Sequence, residues 1–227
     1  ESAVGAANGA NTTAVFFGHD PRYGRDYVYL ETLGGGFGGR FTKDGKDGVQ
    51  VHITNTSNLP VESIEMEYPL MVESYGFVPD SGGAGKHRGG LGAIYEIAPL
   101  SDGETDVFLL GERGKFPPFG VNGGKAAALN RFVFRDSAGE HQVPLTTKTT
   151  DVRITSADIV RLESPGGGGF GDPLHRDAAL VARDVRLGYV STESARRDYG
   201  VALRADGCVD EAATADLTAI DFGLGDI

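Results

Sequence analysis

Between residues 13 and 162 apolar and polar positions alternate with a period of two. Stretches 13–17, 27–33, 49–53, 72–78, 93–98, 105–110, 130–135, 151–154 and 158–162 each carry β-branched or aromatic residues at alternate positions. Gly, Asn, Asp or Pro bounds them. A strand sends successive side chains to opposite faces, so this period predicts half-buried strands. Turn sequences such as Lys43-Asp44-Gly45 and Asn122-Gly123-Gly124 join them and favour antiparallel pairing. The period changes after Pro173. Asp177 is placed to cap a helix over 178–187 with Leu180, Val181, Val185 and Leu187 on one side, and Gly188 stops it. Ser191 caps a second helix over 192–199, and a weaker one spans 210–220. The segment 56–68 fits a short helix or an extended stretch equally well. The predicted fold class is therefore α+β, β-rich, with a mostly antiparallel sheet and two or three short C-terminal helices. Residues 1–11 lack any period and read as a flexible lead-in, 12–173 as the β-rich region and 174–227 as a helical tail.

Composition narrows the function classes. A chain of 227 residues forms one domain with a sizeable core, or two small ones. The net charge of −11 argues against nucleic acid and anionic membranes, which select clustered Lys and Arg. No apolar run is long enough to cross a bilayer. The single cysteine, Cys208, excludes an internal disulfide and fits a reducing cytoplasm. The 35 glycines are the unusual feature. They sit in compact blocks, where backbones must turn, approach closely or present N–H groups.

Two blocks, Gly34 to Gly39 and Gly166 to Gly171, satisfy G-x-G-x-x-G. Neither opens a helix within a βαβ unit, and no P-loop sequence occurs, so nucleotide binding by this chain alone is not indicated. Gly35 and Gly36 could instead aim backbone donors at an anion, or mark a tight contact between backbones. The densest set of reactive side chains is Asn55, Asn58, Glu62 and Glu65, with His52 just upstream. Asn amides can orient a ring amide, and Glu62 or Glu65 could act as general base if burial raised its pKa. Asx-turns that merely cap the chain are the alternative for the asparagines. Arg88, in Lys86-His87-Arg88, could fork onto phosphate or carboxylate, or form an ion pair. The five scattered histidines show no metal-ligand spacing.

Longer motifs add a resemblance. Glu31-Thr32-Leu33-Gly34-Gly35-Gly36, Asn55-Thr56-Ser57-Asn58, Pro60-Val61-Glu62, Tyr68-Pro69 and Asp80-Ser81-Gly82-Gly83-Ala84-Gly85 occur in order. Arg88-Gly89-Gly90, Ser164 through Pro173 and Asp184-Val185-Arg186 follow. Together these resemble the C-terminal half of the hydantoinase B/oxoprolinase family. The resemblance implies the B-type subunit of an ATP-dependent enzyme that opens a hydantoin, 5-oxoproline or related lactam. A ketone carboxylase subunit, or a non-catalytic interface segment of such a complex, are the alternatives. It further implies ATP in a hydantoinase A-type partner subunit and a divalent metal in the N-terminal half of the same subunit, with neither held by this segment. The start at Glu1-Ser2 then reads as a fragment edge or as that of a naturally split or processed subunit.

Overall fold

The computed structural model describes residues 3–51, 54, 56–101, 103–142 and 147–222. The period-two stretches pair into two antiparallel sheets. In the first, β2 (Arg25–Leu33), β1 (Thr12–Asp20), β5 (Thr105–Leu110) and β8 (Lys148–Ile154) lie in that order. In the second the order is β3 (Leu70–Phe77), β4 (Ala93–Pro99), β9 (Ile159–Glu163), β6 (Arg131–Asp136) and β7 (Gly139–Gln142). Their inward rows interleave into one core. Phe16, Tyr29, Leu33, Val107 and Leu109 of the first sheet meet Tyr95, Ile97, Phe132, Val160 and Leu162 of the second. Full burial of each such side chain stabilises the fold by about 1.5–3 kcal/mol. The segment left open between helix and strand contains the short helix α1 (Val61–Glu67), which buries Ile64 in this core. The strand expected at 49–53 is not formed over its described residues, where Val49 makes one isolated bridge to Gly35.

Beside the sandwich lies a second layer built almost without side chains. Segments 34–48, 81–92, 118–127 and 164–171 run against one another through direct backbone hydrogen bonds. Gly36 N–H donates to Pro165 O at 3.0 Å, Gly167 N–H to Gly90 O at 2.8 Å and Gly83 N–H to Gly167 O at 2.9 Å. The segments are so close that a Cβ on Gly36 would lie 2.1 Å from Gly90 O, and one on Gly89 only 1.7 Å from Gly167 O. Glycine is the residue that permits this approach.

The expected flexible lead-in departs from that reading. Residues 5–8 are threaded into the glycine layer: Gly5 N–H donates to Gly39 O, Asn8 N–H to Gly36 O, and Ala6 O accepts from Gly168 N–H. Asn8 is wholly buried. Small side chains gave no period because the attachment runs through the backbone.

Helices α2 (Ala178–Arg186), α3 (Thr192–Tyr199) and α4 (Glu211–Phe222) follow the layer. Asp177 and Ser191 cap α2 and α3 through hydrogen bonds to Ala179 N–H and Ser194 N–H, and Gly200 ends α3 in the left-handed region at φ 64°. A buried ion network ties this tail to the glycine layer. Arg176 donates to both oxygens of Asp44 and to Asp184 Oδ2, each at 2.7 Å. Burial acts to raise the Asp44 carboxyl, and the Arg176 hydrogen bonds overcome it, holding it below the usual range.

Candidate functional site

Strand β2 carries the site because its alternation turns Tyr27, Tyr29, Glu31 and Leu33 inward. Three of those are aromatic or apolar; Glu31 places a carboxylate in the same row, only 4% exposed. A carboxylate withdrawn from water needs hydrogen-bond donors. Tyr29 OH donates to Oε2, while Thr32 N–H (3.0 Å) and Asn58 Nδ2 (2.9 Å) donate to Oε1. Asn58 is itself oriented, since its Oδ1 accepts from Tyr75 OH at 3.1 Å. Aromatic rings wall the cluster: Tyr68 lies 5.0 Å from Tyr29, and Tyr95 meets Tyr75 edge-on at 5.1 Å.

Burial pushes the Glu31 carboxyl up, and the hydrogen bonds from Tyr29, Asn58 and Thr32 offset only part of that. Burial also pushes the Tyr29 phenol up, reinforced by the Glu31 hydrogen bond and charge. Glu31 and Tyr29 both line an open groove of about 490 Å³, with Val28, Thr32, Ser57 and Leu59 among its other walls. A carboxyl with a raised pKa beside an open groove can take or give a proton, the requirement for general acid–base work.

The sequence-derived candidates fall in several places. Asn58 is brought onto Glu31. Glu65 accepts from Val72 N–H at 3.1 Å, closing the corner between α1 and β3, and its charge reaches Tyr95 in the cluster. Glu62 stands exposed on α1. His52 and Asn55 lie outside the described residues. Arg88 needs correction as a ligand-binding group: it is 3% exposed and donates to Asp47 Oδ1 at 3.0 Å and to Gly89 O, with Asp184 3.5 Å from Nε. Its charge is spent inside the protein. Gly35 and Gly36 need the same correction, because their N–H groups are taken by Val49 O and Pro165 O. Tight backbone contact, the other reading of that block, is what the structure shows. No phosphate cradle is formed there. Among the described residues no three His, Cys, Asp or Glu side chains gather as a metal site. Glu31 was missed as a site residue. Its signal is a lone carboxylate in the inward row of an alternating strand.

The chain belongs to the hydantoinase B/oxoprolinase family, whose sequence profile matches residues 1–173. It is 34% identical over 194 residues to a Pseudomonas sp. (strain NS671) protein named as the B-type subunit of a D-/L-hydantoinase, covering 86% of this chain and 32% of that protein. The crystal structure of the ATP-dependent caprolactamase from Pseudomonas jessenii matches with a TM-score of 0.80 and 31% identity, over 95% of this chain and 38% of that one. The nucleotide-free acetone carboxylase, a structure from work on ATP-dependent acetone carboxylation, also matches with a TM-score of 0.80, at 25% identity over 99% of this chain and 34% of that one. The chain thus spans about a third of the length of these proteins, rather than the half expected from its motifs.

Proposed function

We propose that this chain is the C-terminal part of the B-type subunit of an ATP-dependent amidohydrolase that opens a hydantoin, 5-oxoproline or related lactam. The observation carrying this reading is the groove-lining carboxylate Glu31, hydrogen-bonded to an oriented amide, in a family whose members include a hydantoinase and a caprolactamase. ATP bound in a hydantoinase A-type partner would phosphorylate the amide oxygen, with ADP leaving and phosphate released as the carboxylate forms, and so make the amide carbon electrophilic. Water then adds to that carbon, the ring C–N bond breaks, and the departing nitrogen takes a proton. Ionised Glu31 would accept the water proton, and the higher proton affinity that burial gives the carboxylate suits it to hold that proton until nitrogen takes it. Asn58, fixed between Glu31, Thr32 O and Tyr75, orients the Glu31 carboxyl. His52, Asn55, Glu62 and Glu65 belong to the same proposed set, and a divalent metal belongs to the N-terminal remainder of the subunit. No helix among the described residues is long and apolar enough to cross a membrane, and the cytoplasm is the proposed compartment.

The acetone carboxylase match favours a second reading, in which a ketone is carboxylated after the same activation. Assays of the complete subunit with its partner, with ATP and either a cyclic-amide panel or ketones plus bicarbonate, separate the two. For the first reading, Glu31→Gln and Asn58→Ala are expected to lower turnover of the cyclic amide, Glu31→Gln by about 100-fold or more. Unchanged turnover in an intact complex would assign the chemistry elsewhere and leave this chain an interface segment.

A further inference from the structure

The two sheets of the sandwich differ on their outer faces. On the second sheet, Arg161 bridges Glu96 at 2.7 Å and Glu140 at 2.6 Å, as expected of a solvated antiparallel surface. The first sheet departs from that pattern. Its outward row on β1 is Thr13, Val15, Phe17 and His19, set against Thr32, Leu30, Val28 and Asp26 of β2. Across the other side, Val15 faces Phe108 and Thr13 faces Leu110 of β5. Val15, Phe17, Val28, Leu30, Phe108 and Leu110 therefore form one apolar surface crossing three strands. Val28 is 65% exposed, Leu30 59%, and Phe17 and Leu110 each 40%. The rest of this outer face is charged, with Arg153 bridging Glu104 at 2.9 Å and Asp106 at 3.1 Å, but an apolar surface of this extent is built to be covered. Among the described strands β2 lies at an edge of its sheet, and the groove containing Glu31 runs along it.

We propose that this outer face is the seat of the remaining polypeptide of the B-type subunit, which packs on Val15, Phe17, Val28, Leu30, Phe108 and Leu110 and closes the groove over Glu31. The proposal rests on the B-type subunit reading. In the two solved neighbours the same fold makes up 34% and 38% of a single chain, so most of each polypeptide is tethered to this unit. A tethered segment meets the face at an effective concentration that no free partner matches. It therefore covers the face before any separate subunit does.

The test is thiol labelling of the complete subunit with a maleimide, in variants Phe17→Cys, Val28→Cys and Leu110→Cys. Cys208, exposed here, and Leu187→Cys on α2, 52% exposed, serve as references. Covered thiols react only through local opening, so at least about tenfold slower labelling at 17, 28 and 110 is expected. Labelling at the reference rate would overturn the proposal. So would protection that grows with protein concentration, which marks a second copy, or protection that requires the A-type partner. Should a variant misfold, Phe17→Leu with Val28→Cys keeps the face apolar and repeats the measurement. Failure of the catalytic reading shows differently: protected thiols in a subunit assembly that turns over no cyclic amide.

Discussion

The sandwich and the glycine layer exclude water by opposite means. In the sandwich, side chains such as Phe16, Ile97, Phe132 and Leu162 fill the space between sheets, and backbones stay apart. In the layer, backbones lie in direct contact and hydrogen-bond to one another, with few side chains between them. The first arrangement can relax by rotamer changes when a side chain shrinks. The second has nothing to rearrange, so one methyl group is enough to break it. This difference places the strictest sequence constraint in the part of the molecule with the least side-chain chemistry. It also explains why a chain with 35 glycines is ordered through its glycine blocks.

Gly89→Ala is the sharpest way to break the comparison. Its new Cβ would sit 1.7 Å from the carbonyl oxygen of Gly167, against backbone that hydrogen bonds fix on both sides. The expected result is loss of more than about 4 kcal/mol, or no folded protein. Leu162→Ala removes far more volume from the sandwich, yet should cost only about 2–5 kcal/mol and leave a folded chain. Chemical denaturation of both variants decides the matter: a Gly89→Ala protein as stable as Leu162→Ala would refute the contrast. Next in size is Arg176→Ala, whose side chain is fully buried between Asp44 and Asp184. Removing it takes the closest cation from two carboxylates, leaving Asp44 with the Arg88 N–H and Asp184 with the more distant Arg88 and Arg183, and should cost about 3–5 kcal/mol. Limited proteolysis should then cut the tail after residue 173 faster than the sandwich. Equal cleavage of the two regions would show that the network does not hold the tail.

The sandwich was legible in the sequence because side-chain burial leaves a period. Stretch 105–110 matches β5 and 192–199 matches α3, where alternation and a Ser cap state the structure locally. Strand β7 is exposed throughout and has no apolar row to announce it. The glycine layer was legible only as composition. Its contacts join backbone groups far apart in sequence, and such contacts impose no side-chain pattern. The lead-in was misread for that reason. Arg88 looked like an anion receptor because it stands in the basic cluster Lys86-His87-Arg88; its partner Asp47 is 41 residues away. Asn58 was recognised without its meaning, since Glu31, which it orients, is 27 residues distant.

The smallest effect concerns Glu31, a carboxylate set among aromatic and apolar side chains in the inward row of β2. Its carboxyl is raised in the folded protein from the ordinary 4.5. Below that value the group is protonated whether the chain is folded or unfolded, and its contribution to stability is fully present. As the pH rises, the unfolded chain ionises first, while the folded one still holds the proton. Stability is therefore lost as the pH climbs through the folded pKa. Glu31→Gln keeps a neutral group of the same shape, with Tyr29 able to accept from its amide, and removes that dependence. Urea midpoints of the two proteins should lie closest below pH 4.5 and separate above it, with the variant gaining on the wild type. A wild type that instead gains on the variant as the pH rises would mean that the fold favours the ionised carboxylate. Glu31 would then be a structural anion held by Tyr29, Thr32 and Asn58, and the proton-transfer role would fall with it.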